Sequence, residues 1–366
     1  MIKRINNNNI LLTAGGTGGH LYGSESLASE LSSQDYNTFL FTDGRVESLV
    51  KGFEIGNVKK IHSATFTNIN FYKWPFVFIK LIFGFLSSLI WINKFKIKTV
   101  VGFGGYPTIP VIFAAKLCGL KIIIHEQNMV LGRANKLLIR LTDKLSLGFN
   151  DTAGIPDGYK EKIYFSGNPI RSDILKYKST YRIFEKKNKF KLVIFGGSQG
   201  ASFFSNTIPL SLSMLSGNKK SNLDIYHQVR PEEVQDIENF YGSENIKAKV
   251  SYFFDDLPEL LNSSHLIISR SGASTVSEIA AIGRPAILIP LSHSIDGDQK
   301  LNALRLMKTG QVLVSDESQA NSDWFYKKIN KFMNDPSILK DMSKRNIPSI
   351  HKDGAKNIMN LIKNFE

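Results

Sequence analysis

One cysteine, Cys118, is the only thiol in this 366-residue chain, which excludes an internal disulfide. No Cys/His cluster has zinc spacing, so a structural zinc site is excluded with it. Acidic residues are scarce beside basic ones, 32 against 46, leaving a formal charge of +14. That imbalance implies an anionic partner: nucleic acid, a membrane surface or a phosphorylated substrate. No RNA-binding signature or zinc finger accompanies the charge. Lysines such as Lys186, Lys187, Lys189 and Lys191 read mainly as a solvated face, so no nucleic-acid partner is expected. Met1 to Asn9 is polar and asparagine-rich, without the apolar run or cleavage site of a signal peptide, and a cytoplasmic chain is expected. The chain has no G-x-x-x-x-G-K-[ST], and its first glycine loop does not fit G-x-G-x-x-G, which weighs against Walker and dinucleotide readings.

What is present is one device used twice. Ile10-Leu11-Leu12-Thr13-Ala14 runs into Gly15-Gly16-Thr17-Gly18-Gly19-His20, and Leu192-Val193-Ile194-Phe195 runs into Gly196-Gly197-Ser198-Gln199-Gly200-Ala201. A buried strand, a glycine turn and a helix start make an anion site. The glycines let backbone approach phosphate oxygens, and the helix N-terminus offers free N–H groups and partial positive charge. Two copies in 366 residues, with 42% hydrophobic content, predict two nucleotide-binding-like α/β halves facing each other across a cleft.

Further strands are predicted at 38–42, 99–103, 121–125, 162–165, 191–195, 224–228, 249–253, 266–269 and 286–290, alternating with helical patterns. Such alternation gives parallel sheets with helices on both faces. A polar, lysine-rich break at 171–191 separates the two series, and 337–366 reads as terminal helices. The expected domains are 1–172, joined by a C-terminal helix at about 345–366, and 173–344.

Trp74 to Ile92 is apolar enough to be mistaken for a transmembrane helix. Lys80 inside it, the diluting Gly84 and Ser87-Ser88, and the flanking Lys73, Lys94, Lys96 and Lys98 argue against spanning. Aromatics interleaved with lysines fit a helix lying in the membrane interface, its lysine stems reaching towards lipid phosphates. A large core helix is the alternative.

The candidate site residues fall at the C-terminal ends of strands, where open α/β sheets bind ligands. His20 follows four glycines at a helix start, and its ordinary pKa near neutrality suits a general base. Gly102-Phe103-Gly104-Gly105-Tyr106-Pro107 is a close backbone approach to ligand or a tight turn. His125-Glu126-Gln127-Asn128 is a polar cluster suited to substrate hydroxyls, or a satisfied strand-end turn. Gly167-Asn168-Pro169-Ile170-Arg171 brings a cation for diphosphate or for an interdomain salt bridge. In Ser269 to Glu278, Thr275-x-x-Glu278 fits a capping box, yet a carboxylate there could also grip a ribose diol. Asp296-Gly297-Asp298-Gln299-Lys300-Leu301-Asn302 offers hydroxyl-binding side chains. Its Asp-x-Asp is similar to a metal motif of some sugar transferases, though matches this short recur by chance.

These motifs, in this order and over nearly the whole chain, resemble the MurG family of bacterial peptidoglycan glycosyltransferases. The resemblance rests on Gly15 to His20, Gly102 to Pro107, His125 to Asn128, Gly167 to Arg171, Gly196 to Ala201, Arg270 to Pro285 and Gln299 to Asn302. It implies a GT-B fold, two Rossmann-like domains with the sugar nucleotide mainly on the second and a lipid acceptor on the first. It also implies a peripheral protein on the cytoplasmic face of the inner membrane. The reaction implied is inverting transfer of GlcNAc from UDP-GlcNAc to the muramoyl 4-hydroxyl of lipid I. The implied partners are those two substrates and an anionic lipid surface, with cell-wall and division proteins left open.

Carried over by position, Thr17, Gly18 and Gly19 would touch the donor and Asn128 its sugar. Arg171 and Ser198 would approach the diphosphate, and the Phe254 backbone would meet uracil. Ala273, Ser274, Thr275, Val276, Ser277 and Glu278 would hold the nucleotide, with Glu278 on ribose and Gln299 on the GlcNAc hydroxyls. His20 would be the base. Helix N-termini after Gly200 and Gly272, with Arg171, would steady the leaving diphosphate without a required metal, magnesium being left open. Closure about a 171–191 hinge would align the substrates. Two departures stand out: Leu21-Tyr22-Gly23 loosens the turn where the family has an aromatic and a proline, and Asp298 precedes Gln299 where it has His or Gln. A UDP-GlcNAc epimerase or a diacylglycerol glycosyltransferase would share this architecture.

Overall fold

The computed structural model describes residues 8–15, 18–44, 53–64, 72, 74–185, 188–197, 202–294, 297–345 and 353–365. The chain divides into two units, Met1–Arg171 with Ile350–Glu366, and Ser172–Ser349.

In the first unit the elements run β1 (Asn9–Thr13), α1 (Gly18–Ser32), β2 (Asn37–Thr42), β3 (Val58–Lys60), α2 (Trp74–Lys94), β4 (Thr99–Gly102) and α3 (Thr108–Leu117). They continue with β5 (Lys121–Glu126), α4 (Arg133–Leu138), β6 (Lys144–Leu147) and β7 (Ile163–Phe165). The strands form one parallel sheet in the order β3-β2-β1-β4-β5-β6-β7. Alternation along each strand divides the side chains between two cores. Ile10, Leu12, Val101 and Ile123 join Leu21, Leu27 and Leu31 of α1 on one face, and Leu11, Val100, Ile122 and Ile124 join Ile92 of α2 and Val111 and Ile112 of α3 on the other. Each such burial is worth about 1.5–3 kcal/mol.

The second unit begins with α5 (Ser172–Lys176) and continues β8 (Phe190–Phe195), α6 (Ser202–Ser213), α7 (Gly217–Lys220), β9 (Leu223–Gln228), α8 (Val234–Ser243), β10 (Ala248–Ser251) and α9 (Leu257–Ser263). Then come β11 (Leu266–Ser269), α10 (Ala273–Ile282), β12 (Ala286–Leu288), α11 (Asp298–Met307), β13 (Val312–Val314), α12 (Ser322–Asn334) and α13 (Ser337–Lys344). Its parallel sheet has the order β10-β9-β8-β11-β12-β13. Leu192, Ile194 and Ile268 pack on Phe204 and Ile208 of α6 and Phe325 and Ile329 of α12. The chain then returns to the first unit through α14 (Gly354–Lys363), whose Ile358 and Ile362 lie in the α1 core and whose Asn357 Nδ2 donates to the Ser166 carbonyl at 2.8 Å.

The predicted strands all form, within a residue or two at their ends. Three short ones were not anticipated: β3, β6 and β13. Two carry lysines, and at three or four residues none shows a period by itself. Much of the 171–191 break is tied to the second unit. Lys178 Nζ donates to the Ala281 carbonyl at 2.7 Å, Arg284 to the Ser179 carbonyl at 2.9 Å and Tyr181 Oη to the His265 carbonyl at 3.2 Å. Phe184 lies in the second unit's core. Backbone and side-chain bonds of this density make 174–184 part of the second unit; Lys186 and Lys187 lie outside the described residues.

Candidate functional site

In the first unit, the C-terminal ends of β1 and β4 are neighbours, Thr13 pairing with Gly102, and their glycine loops pack backbone to backbone. A Cβ on Gly15 would meet Pro107 Cδ at 2.8 Å, and one on Gly105 (φ +82°) would collide with the Gly15 carbonyl oxygen. His20 is the third residue of α1, half-buried, its Nε2 3.3 Å from where a Cβ on Gly104 (φ +92°) would stand. So the first and second glycine loops make a single wall with His20 in it. Gly18 is buried at the helix start and Gly19 half-buried; Thr17 lies outside the described residues. A residue that sequence reasoning missed stands beside them. Asp43 follows β2, is 8% exposed, and has its Oδ2 3.3 Å from the Gly15 Cβ position. The signal was an Asp-Gly pair directly after a predicted strand.

The departure at Leu21-Tyr22-Gly23 is not a loosened turn. All three residues lie inside α1, which is continuous from Gly18 to Ser32. Gly23 leaves room for Phe103, whose ring edge would be 3.2 Å from a Cβ there. Tyr22 lies under Arg171, the guanidinium 4.6 Å from its ring centroid, and Ser26 Oγ donates to the Ile170 carbonyl at 2.7 Å. Helix α1 thus positions the cation that sequence assigned to diphosphate.

The His125–Asn128 cluster divides. His125 is fully buried, with Nδ1 3.1 Å from Ser146 Oγ and Nε2 3.0 Å from Asn168 Oδ1. Asn168 Nδ2 donates to the Gln127 carbonyl, so its Oδ1 accepts and the His125 proton sits on Nε2. Glu126, 3% exposed, accepts from the Asn128 backbone and Nδ2 with one oxygen and from the Gly132 backbone and Asn135 Nδ2 with the other. Burial pushes the Glu126 carboxyl up, and those four donors pull it back without cancelling the rise. For His125, Glu126 and Gln127 the satisfied strand-end turn is therefore the alternative that the structure favours. His125, Glu126 and Gln127 are buried and build the loop, and Asn128 alone is half-buried at its surface.

In the second unit, β8 ends at Phe195 and is followed by Gly196 and Gly197 (φ +84°); Ser198 to Ala201 lie outside the described residues, and α6 starts at Ser202. The Thr275–Glu278 capping box does not form. Helix α10 starts three residues earlier than that box requires, at Ala273 with Gly272 as its N-cap, so Thr275 is already inside it and Glu278 lies in its second turn, 6% exposed. Ala273, Val276 and Ser277 are buried, while Ser274 and Thr275 are half-buried at the helix N-terminus. Phe254 is buried after β10, and its carbonyl accepts from Leu257 N at 3.4 Å. Gln299 is half-buried in the first turn of α11; its backbone oxygen accepts from Ser271 Oγ at 2.8 Å and its Oε1 from Leu291 N at 3.0 Å. Asn302 Nδ2 donates to the Ser271 carbonyl at 3.3 Å, tying α11 to the β11–α10 turn. Asp298 is the first residue of α11, and Asp296 lies outside the described residues. Among the described residues no three His, Cys, Asp or Glu side chains gather where a metal could be held.

Helix α2 buries only Val77, Gly84, Ser88 and Ile92. That stripe packs towards α3, and Gly84 lets the helix lie directly on the His62 backbone, where a Cβ would collide. Its remaining apolar side chains are outside: Phe76 is 66% exposed, Phe83 59% and Ile90 65%. Among the described residues it is one helix long and apolar enough to cross a membrane, by length and composition. Lys59 and Lys94 place their Nζ atoms 4.6 and 4.9 Å from the Trp91 ring.

Comparison with known proteins fits both units. Residues 10–146 match the glycosyltransferase family 28 N-terminal domain and residues 191–358 the glycosyltransferase family 28 C-terminal domain. The chain is 39% identical over 339 residues to a UDP-N-acetylglucosamine–N-acetylmuramyl-(pentapeptide) pyrophosphoryl-undecaprenol N-acetylglucosamine transferase of Brucella abortus (strain S19), covering 92% of this chain and 88% of that one. It is 38% identical over 335 residues to the protein of the same name from Rhizobium etli (strain CIAT 652), covering 91% and 89%. Among solved structures it resembles Acinetobacter baumannii MurG, with a TM-score of 0.75 at 24% identity, covering 98% of this chain and 99% of that one. It also resembles the Neisseria meningitidis UDP-GlcNAc 2-epimerase bound to UDP-GlcNAc, with a TM-score of 0.68 at 14% identity, covering 97% and 100%. The two parallel-sheet domains are those of the GT-B fold.

Proposed function

This chain belongs to glycosyltransferase family 28 and, within it, to the MurG transferases, and from that premise we propose that it moves GlcNAc from UDP-GlcNAc to the muramoyl 4-hydroxyl of lipid I, forming lipid II. The observation that carries this is the 39% identity over 92% of the chain to a relative named for that transfer. UDP-GlcNAc is α-linked, so attack by the hydroxyl from the opposite face leaves a β-link. The alcohol must lose a proton as it attacks, and His20, in a wall of backbone glycines, is the base. The α10 N-terminus supports the departing diphosphate through its dipole and free N–H groups, and Arg171, oriented by Tyr22, supplies full charge. Thr17, Gly18, Gly19, Asn128 and Ser198 are donor contacts in this reading, with the Phe254 backbone on uracil, 273–277 on the nucleotide, Glu278 on ribose and Gln299 on the sugar.

The acceptor carries a long isoprenoid, so the enzyme works at a membrane surface, on its cytoplasmic face. The exposed apolar side of α2, with lysines beside it, supports docking in the headgroup layer. The test is incubation of the full chain with UDP-GlcNAc and a lipid I analogue, followed by product mass and UDP release. One added N-acetylhexosamine with one UDP released is expected. Recovery of only an epimerised nucleotide, or of free sugar, would overturn the reading.

A further inference from the structure

Arg270 leaves the C-terminal end of β11 and is 8% exposed. Its Nη1 lies 2.5 Å from Glu317 Oε1, beyond the end of β13, and also donates to the Ile289 and Pro290 carbonyls at 3.3 and 3.4 Å, beyond the end of β12. One guanidinium therefore joins three strand ends. The Phe203 and Phe204 rings of α6, 5.4 and 5.1 Å from its Cζ, flank it with apolar surface and keep the charge from water. Glu317 then uses its second oxygen to accept from Ser292 Oγ at 2.8 Å. Residues 289–292 are thus held at both ends by the same ion pair, with Leu291 between.

Leu291 is where this arrangement meets the donor side. Its backbone N–H can only donate, so the Gln299 atom facing it at 3.0 Å is the carbonyl oxygen, and the NH₂ group is turned away from the loop. The Gln299 backbone is fixed separately, through Ser271 Oγ. We infer that Arg270 and Glu317 are a positioning pair that fixes the Gln299 amide so that it offers a hydrogen-bond donor to an accepting oxygen of the donor sugar. This rests on the assignment of Gln299 to the sugar made above. Neither member of the pair touches the sugar; both act through the 289–292 loop.

The difference between UDP and UDP-GlcNAc isolates the sugar, so titration calorimetry with both ligands tests the pair in the full chain. In Glu317→Ala the loop is freed, and affinity for UDP-GlcNAc should fall about tenfold, the loss of one well-made hydrogen bond, while affinity for UDP stays within about twofold. The donor KM should rise by the same factor and kcat should change less. In the double variant with Gln299→Ala, adding Glu317→Ala should cost nothing further, because the two act on one contact. Ser292→Ala, at an exposed position, releases the loop from Glu317 alone and should move the same ratio in the same direction should Glu317→Ala melt early. Equal weakening of UDP and UDP-GlcNAc would overturn the proposal, as would fully additive losses in the double variant. If Gln299→Ala alone leaves UDP-GlcNAc affinity unchanged, the sugar assignment itself is wrong and the proposal falls with it.

Discussion

Gly105 sets its α-carbon against the carbonyl oxygen of Gly15, leaving no room for even a methyl group between the loops that follow β4 and β1. Its φ of +82° is also one that side-chain-bearing residues resist. Gly105→Ala should therefore lose about 2 kcal/mol or more in urea unfolding, from backbone strain and collision together. Gly119, with φ +70° and nothing within 4 Å of its Cβ position, carries the strain alone. Gly119→Ala should cost about 1 kcal/mol. Equal losses at the two sites would mean that the loop contact contributes nothing.

His20 belongs to the same wall, through Gly104. Loss of a general base typically costs about 10²–10⁴-fold, so His20→Ala should lower kcat by that order while UDP affinity and the unfolding midpoint hold. Turnover close to the parent enzyme would assign His20 to packing against Gly104 only.

Glu278 is not the partner of a Thr275 N-cap, because α10 starts at Ala273 with Gly272 as its N-cap. Glu278→Ala should therefore weaken UDP binding by about 1.5–3 kcal/mol, as for a hydrogen bond to a charged group, and raise the donor KM. Calorimetry against UDP beside a melting curve decides the point. A lower melting temperature with unchanged UDP affinity would make Glu278 a buried structural carboxylate.

Membrane docking should depend on side chains that α2 leaves outside. Phe85 is packed on the core, which makes it a poor probe, whereas Phe76, Phe83 and Ile90 are exposed. Phe76→Ser with Phe83→Ser and Ile90→Ser should reduce binding to anionic vesicles and activity on a long-chain acceptor, and spare activity on a short soluble one. Residual binding of the parent should weaken with salt, at roughly 1 kcal/mol per nearby lysine. Equal loss on both acceptors would argue that the face serves the fold.

Acid should destabilise the second unit through the buried His227 and the half-buried His265. Burial pushes His227, bonded to Tyr241 Oη at 2.9 Å, down from 6.5 to about 3, and burial with nearby Lys191 and Arg284 pushes His265 down to about 4. A depressed histidine pKa favours the neutral form in the fold. The stability it protects is intact above about pH 6.5 and is lost as pH falls towards those values, by about 1.4 kcal/mol per pH unit for the fully buried His227. Urea midpoints at pH 7, 6 and 5 should fall accordingly, and more gently in His227→Gln. A flat series would rule out this coupling.

The sequence by itself determined ten of the thirteen strands described, the glycine turns that follow several of them, and the family, because these depend on local alternation and backbone freedom. Ile10, Leu11 and Leu12 alternate between two cores whatever covers them, and Gly105 and Gly197 have positive φ as their turns require. Tertiary structure decided what each polar side chain faces. In the sequence His125, Glu126 and Asn128 look alike, and only packing against Ser146, Asn168 and Asn135 turns the first two inward. Tyr22 reads as a departure until Arg171, far along the chain, lies over its ring. Arg270 and Glu317 reveal nothing at a separation of 47 positions until parallel β11, β12 and β13 bring their ends to one edge. The physical reason is range: periodicity and φ preference act within a few residues, whereas desolvation and pairing of charge depend on neighbours that only the folded sheet supplies.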